Sequence, residues 1–316
     1  MKLTRLRFVA PLCGLALIAA GAGQAPAMAA KSGSKARTPV TSTVQIATYN
    51  AAAATKTNRA VADIQRLAAA ADVVALQEMG SGARRRAVAS SLVDCETCTF
   101  DAFMPVPAVP GSTPILWSSE RFRLKASGTR QVTQDTYVGR AGAGPSTLRA
   151  KYINYVLLRD RATGVKFYVL NNHAVPTVQG NGGGSNREHP KRLELYRQHM
   201  EGLKALITEF AAPNRAVFVT GDLNVNYRRD RIVQDRLFPF YNLGQVDVHA
   251  SHEALGEPEL GTHVLSSGNS TRLIDYVSYM RHKAVVPMRQ QVLTGYGSDH
   301  RPLVVDFQFI APRKTI

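Results

Sequence analysis

Six short polar groups in this 316-residue chain carry side chains suited to hydrolytic chemistry, and most stand where an apolar run ends. Asn50 closes Ile46-Ala-Thr-Tyr-Asn50, and Glu78 closes Val73-Val-Ala-Leu-Gln-Glu78. Asn171, Asn172 and His173 follow Phe167-Tyr-Val-Leu, while Asp222 and Asn224 follow Val217-Phe-Val-Thr-Gly. Asp275 lies within Arg272-Leu-Ile-Asp-Tyr-Val, and Asp299-His300 precede the last apolar run. Carboxylates and amides are hard oxygen ligands suited to Mg²⁺, with Mn²⁺ or Ca²⁺ as alternatives. Histidines beside carboxylates orient, donate or accept protons. The chain has no Gly-x-Ser-x-Gly elbow, no cysteine nucleophile and no glycine-rich nucleotide loop. A cation with acid and base groups, and no covalent nucleophile, points to attack of water on a phosphoester.

The elements that must position these groups are legible as short runs rich in Val, Ile, Phe and Tyr. Strands are predicted at 44–49, 73–77, 113–118, 152–159, 165–170, 216–220, 273–279 and 302–309. Helices are predicted at 58–71 and 188–210; in the second, Leu193, Tyr196, Met200, Leu203, Ile207 and Phe210 form one apolar stripe. Lys191, Arg192, Arg197 and Lys204 fall off that stripe and read as a solvated face. There is no internal repeat, and no strong linker divides the chain after residue 44, so it reads as one large α/β domain. In such sheets, ligands bind where strands end.

The first residues read differently. Lys2, Arg5 and Arg7 precede an apolar stretch from Phe8 to about Ala22, followed by Ala27-Met28-Ala29. This is the pattern of a secretory signal peptide over residues 1–29, too short to remain as a membrane anchor. Residues 30–43 read as a flexible linker and 44–316 as the folded domain. The whole chain has 39 Lys and Arg against 23 Asp and Glu, a formal charge of +16. Without the leader, 36 basic residues against 23 acidic ones leave +13. Two cysteines then remain, and in an exported chain Cys95-Glu-Thr-Cys98 reads as a small-loop disulfide. The composition, 45% hydrophobic and 20% charged, excludes disordered and collagen-like classes.

In their order from Asn50 to His300, these marks resemble the endonuclease/exonuclease/phosphatase superfamily, the deoxyribonuclease-I-like fold. Thr-Tyr-Asn50, Leu-Gln-Glu78, Asn171-Asn-His173, Gly-Asp222-Leu-Asn224, Ile-Asp275-Tyr and Ser-Asp299-His300 carry the likeness. The resemblance implies a four-layer α/β/β/α sandwich, two packed mixed sheets flanked by helices, with the site at one edge. It implies Glu78 as principal cation ligand, Asn50 beside it, and Asp299 as a further ligand. Asp222 would align or activate the attacking water, and Asn171, His173 and Asn224 would contact the phosphate. Asp275 would hold His300 in the correct tautomer. Asn172 would point the other way, and Asn224 would share a side with Asp222 through strand alternation.

The substrate expected is nucleic acid, acted on by a secreted, monomeric enzyme. The positive charge favours a polyanion. Arg84-Arg-Arg86, Arg228-Arg229 with Arg231, and Arg149 with Lys151 are candidates to line its path. A lipid or inositol phosphoesterase is the alternative, for which no exposed aromatic hairpin is evident. A non-catalytic binding protein on a degenerate fold is the third reading.

Overall fold

A computed structural model describes residues 39–139, 146–237, 243–265, 268 and 271–311 of the chain. The predicted leader, most of the linker and the last five residues lie outside them. Strand β1 (Thr41–Asn50) begins three residues before the expected boundary, because Thr41–Thr43 already pair with Gln308–Ile310. Helix α1 (Thr57–Ala68), β2 (Val73–Gln77), α2 (Gly82–Leu92), β3 (Phe100–Phe103) and β4 (Ile115–Ser118) follow. Next come β5 (Phe122–Gln131), the small ribbon β6 (Thr136–Tyr137) and β7 (Thr147–Leu148), β8 (Tyr152–Asp160) and β9 (Lys166–His173). The chain continues through α3 (Pro190–Phe210), β10 (Arg215–Asp222), α4 (Tyr227–Asp230), β11 (Val248–Ala250) and α5 (Ser251–Leu255). It finishes with β12 (Asp275–Met280), β13 (Val285–Val292) and β14 (Leu303–Ile310).

Two six-stranded mixed sheets result, ordered β13-β14-β1-β2-β4-β3 and β11-β12-β10-β9-β8-β5. Three apolar cores define four layers. Val44, Ile46, Val73 and Trp117 of the first sheet meet Val156, Phe167, Phe218 and Val277 of the second. Ala47, Tyr49, Leu76 and Leu116 face α1 and α2 on one outside. Tyr168, Leu170, Val217 and Val219 face α3 on the other. The intersheet core is cemented by edge-to-face rings, with Phe167 and Phe309 at 5.0 Å and Phe218 and Phe307 at 4.8 Å. This is the four-layer α/β sandwich.

One expectation about α3 fails. Arg192 is 1% exposed and donates to the Pro176 carbonyl, so it belongs to the buried face rather than the solvated one. Among the described residues no helix is long and apolar enough to cross a membrane. Cys95 and Cys98 are joined by a disulfide.

Candidate active site

Strand alternation builds the site. Side chains two residues apart share a face. In β1, Val44 and Ile46 point into the intersheet core, and the same row continues through Thr48 to Asn50. In β9 the row Phe167, Val169 continues to Asn171 and His173. In β10, Ala216 and Phe218 lead to Thr220 and Asp222, and in β12 the row Tyr279, Val277 ends at Asp275. Four apolar rows of one core thus become polar at the same edge of the sandwich. There, His300 arrives on the turn before β14.

Asp222 is the hub. Its Oδ2 lies 3.1 Å from Asn50 Nδ2, 3.5 Å from His173 Nε2 and 3.8 Å from His300 Nε2. Its Oδ1 accepts the Asn224 backbone N–H at 2.8 Å. The Asn50 amide also donates to Glu78 Oε1 at 3.2 Å, and Glu78 Oε2 accepts the Ala53 N–H at 2.6 Å. His300 Nδ1 meets Asp275 Oδ2 at 2.8 Å. Ser298 ties its own turn to the first sheet, donating to the Asn50 carbonyl at 2.8 Å and accepting the His300 N–H at 3.0 Å.

The backbone there is forced. Ala52, Glu78 and Asn224 all have positive φ, at 46°, 60° and 55°. Such conformations persist only where the surroundings hold them, and they concentrate at functional positions. Gly221, at φ 142°, admits no side chain, since a Cβ would stand 2.0 Å from the Asn172 carbonyl oxygen. That close approach of β10 to β9 is why glycine precedes Asp222.

Burial and charge set the protonation states. Burial raises the Asp222 carboxyl and Asp275 adds to this, while His300, the Asn224 N–H and the Asn50 amide oppose it. Burial alone would depress His300, but Asp275 overrides it and raises the imidazolium to about 10. His173 is held neutral by burial, then by Lys151 and His300. Lys151 is lowered to about 8 by burial, against the attraction of Asp222 and Glu78, which places its ammonium within the field of the site.

Two expectations require correction. Asn171 cannot contact substrate: it is wholly buried, its amide donates to the Leu76 and Pro114 carbonyls, and its oxygen accepts from Gln77 at 2.7 Å. It fastens one sheet to the other. Asn224 does not share a face with Asp222 by alternation, because the chain leaves the extended conformation, and its side chain donates to the Ala174 carbonyl at 3.3 Å. Asn172 does turn away, accepting from His199 on α3 at 3.1 Å. Asp299 stands apart from the hub, its side chain 59% exposed and 3.8 Å from His263 Nε2.

The arginine runs are mostly scaffolding. Arg84 donates to the carbonyls of Ala52, Ala53 and Thr55, and Arg85 to those of Met79, Gly80 and Val106. Arg228 and Arg231 pair with Glu257, Arg229 binds the Asn181 carbonyl, and Arg149 pairs with Asp135. His263 joins the site unannounced by the sequence motifs, its ring centroid 4.7 Å from that of His300. Nothing in its immediate sequence distinguishes it from a loop histidine.

The carboxylates of Asp222 and Glu78 are hard oxygen donors of the kind a divalent cation takes, and the Asn50 N–H₂ group joins them while its oxygen accepts the Ala52 N–H. Among the described residues Asp275 Oδ1 is buried without a hydrogen-bond partner, an orphan oxygen that a cation would satisfy. Ligand atoms of Asp222, Asp275 and His300 lie within 4.8 Å of one another, as do those of His263, Asp299 and His300. Two depressions flank the hub. One of about 380 Å³ is lined by Thr113, Arg149, Lys151, Tyr152 and His173. The other, about 550 Å³, is lined by His263, Tyr296, Ser298, Asp299 and Arg301.

Comparison with known proteins agrees with this architecture. An endonuclease/exonuclease/phosphatase family protein from Bacteroides thetaiotaomicron superposes with a TM-score of 0.60 at 16% identity, covering 86% of this chain and 97% of that one. Danio rerio TDP2, solved with a single-strand DNA product, gives 0.58 at 16% identity over 84% and 99%. A mannosyl-6-phosphatase of B. thetaiotaomicron gives 0.58 at 15% identity over 84% and 99%. At these identities the structures speak for the fold alone. No curated protein sequence matches the chain. The model of the Endonuclease/Exonuclease/phosphatase family matches residues 47–300, from within β1 to His300, and the chain belongs to that family of phosphoester hydrolases.

Proposed function

We propose that the chain is an exported, monomeric nuclease that hydrolyses phosphodiester bonds by in-line attack of water. The observation that carries the substrate class is a pair of depressions beside the site, one lined by His173 and the other by Ser298 and Asp299, the residues just before His300. A polymer can cross such a site with its scissile phosphate at the hub. The excess of basic residues supports a polyanion, and export rests on the leader pattern at 1–29.

Glu78, with Asp222 beside it and Asn50 as the orienting amide between them, would hold a divalent cation, Mg²⁺ being the natural choice, which would stabilise charge on the phosphoryl and leaving oxygens. Asp299 stays a candidate for a second cation. Asp222 aligns the water and takes its proton. His300, charged and fixed by Asp275, donates toward a phosphoryl oxygen, and neutral His173 does so from the other side. The Asn50 amide locks the relative positions of Asp222 and Glu78. Asn224 contributes chiefly its backbone N–H, which orients Asp222.

Incubation with Mg²⁺ and labelled single-stranded DNA, duplex DNA or RNA, beside a sugar phosphate and a phosphocholine lipid, tests this reading. Chelator-sensitive cleavage of a nucleic acid supports it. Release of phosphate or phosphocholine with intact nucleic acid refutes it in favour of a small-ester or lipid phosphoesterase.

A further inference from the structure

Far from the hub, the second sheet carries cations in register. Arg123 of β5 lies opposite Arg159 of β8, Arg159 opposite Lys166 of β9, and Lys166 beside Arg215 of β10. Directly paired residues share a face, so four adjacent strands set four positive side chains in one row. By alternation this is the outer face, that of Tyr168 and Val217, just past the end of α3, where Phe210 stacks on Tyr168 at 4.0 Å. With strands about 4.8 Å apart the row is about 14 Å long.

Like charges directly opposite one another destabilise a sheet. Among the described residues none of these four cations has a carboxylate within ion-pair distance, and Arg215 Nε is buried without a hydrogen-bond partner. Exposed Lys125 joins the cluster, held below the usual lysine range by Arg123, with Arg159 and Lys166 adding to the effect. Strand β5 has no acidic residue along its length, Phe-Arg-Leu-Lys-Ala-Ser-Gly-Thr-Arg-Gln. Among the described residues it is the outermost strand of its sheet, running from this row past Arg130, which pairs with Glu209, to Gln131, which pairs with Tyr152 beside Lys151 and the His173 depression.

We propose that the Arg123–Arg159–Lys166–Arg215 row, with Lys125, is an exosite for the phosphodiester backbone of a nucleic acid whose scissile phosphate sits at the Asp222 hub. The inference rests on the nuclease reading and deepens it. Lys166 and His173 are the two ends of β9, eight residues apart inclusively, so row and site are separated by about 23 Å along the strand. At 3.4 Å per base pair, a duplex must exceed about 7 base pairs to engage both.

The test compares wild type with an Arg123→Gln/Lys125→Gln/Arg159→Gln/Lys166→Gln variant. Binding of fluorescent 6- and 30-base-pair DNA is measured by anisotropy in EDTA across a salt series, with bis(p-nitrophenyl) phosphate turnover in Mg²⁺ and a thermal melt as controls. The expected result is an affinity loss of about tenfold or more for the longer duplex, and a salt slope less negative by about three to four. The short duplex, which can occupy row or hub but not both, loses less, and ester turnover stays unchanged. Equal losses for both duplexes, or none, overturn the exosite. So does a variant that merely self-associates, which would make the cations guards of the sheet edge, or one that loses binding only to phosphatidylglycerol vesicles. A wild type that cleaves DNA while the variant binds it normally refutes the exosite alone. A wild type that binds neither duplex refutes the nuclease reading with it.

Discussion

His300 Nδ1 lies 2.8 Å from Asp275 Oδ2, and both side chains are buried where the two sheets open. The carboxylate keeps the imidazole charged up to about pH 10 despite burial, and fixes Nε2 toward Asp222. An Asp275→Asn variant should lose about 10²–10⁴-fold in turnover, the range of a misplaced acid–base group. The alkaline limb of its rate profile should fall toward neutrality, because the group that raises His300 has gone. Since the folded pKa is raised, the pair contributes its full stability below about pH 6.5 and loses it as pH rises through about 10. Urea unfolding of wild type and variant should therefore converge across that window. An unchanged rate profile would contradict the pairing.

Arg84 should act through the cation ligands rather than through substrate. It clamps the Ala52–Thr55 loop by three carbonyls, and Ala53 holds Glu78. Arg84→Lys cannot reproduce the fork of donors. The Mg²⁺ concentration for half-maximal activity should rise severalfold, while the salt dependence of DNA binding stays the same. A changed salt slope would return Arg84 to the phosphate path.

Asn171→Ala should destabilise without touching chemistry. It removes the fastening between sheets, taking from Gln77 Nε2 its closest acceptor and from the buried Leu76 and Pro114 carbonyls a donor, costing about 1–3 kcal/mol in denaturant titration. KM and turnover of the folded enzyme should hold. A selective rise in KM would restore its expected phosphate contact.

Much of this was readable in the chain because strand alternation and apolar runs are local signals. The strand 73–77 was predicted with the bounds it has, and the convergence of Asn50, Glu78, His173, Asp222, Asp275 and His300 follows from strand ends meeting at one edge. Strand β5 escapes sequence reading, since an edge strand of cations and small polar residues lacks an apolar pattern. Strand β13 is another edge, interrupted by Pro287 and a bulge. Helix α2 hides because Arg84 and Arg85 are buried, which composition reads as exposed charge. Asn171 misleads because type and position alone do not tell whether an amide's hydrogen bonds are already consumed.

Acid should weaken the fold through two histidines remote from the Asp275 pair. Burial holds His252 at about 4 and His199 at about 3, so both stay neutral in the fold. Below about pH 6.5 the unfolded chain binds protons that the folded chain refuses, and stability falls as pH drops. Each contributes a slope of about 1.4 kcal/mol per pH unit down to its folded pKa. His252→Gln, which keeps a donor for Gln290, should remove one such slope in urea titrations between pH 6 and 4.5. Identical slopes would show that His252 is protonated in the fold.

The most direct measurement concerns Asp222. In Mg²⁺, single-turnover cleavage of a labelled DNA duplex should be abolished or cut by at least about 10³-fold in Asp222→Asn, while anisotropy shows the duplex still bound. Chelator should silence the wild type to the same degree. An Asp222→Asn enzyme that cleaves at the wild-type rate, or a wild type that cleaves without a divalent cation, would contradict the account.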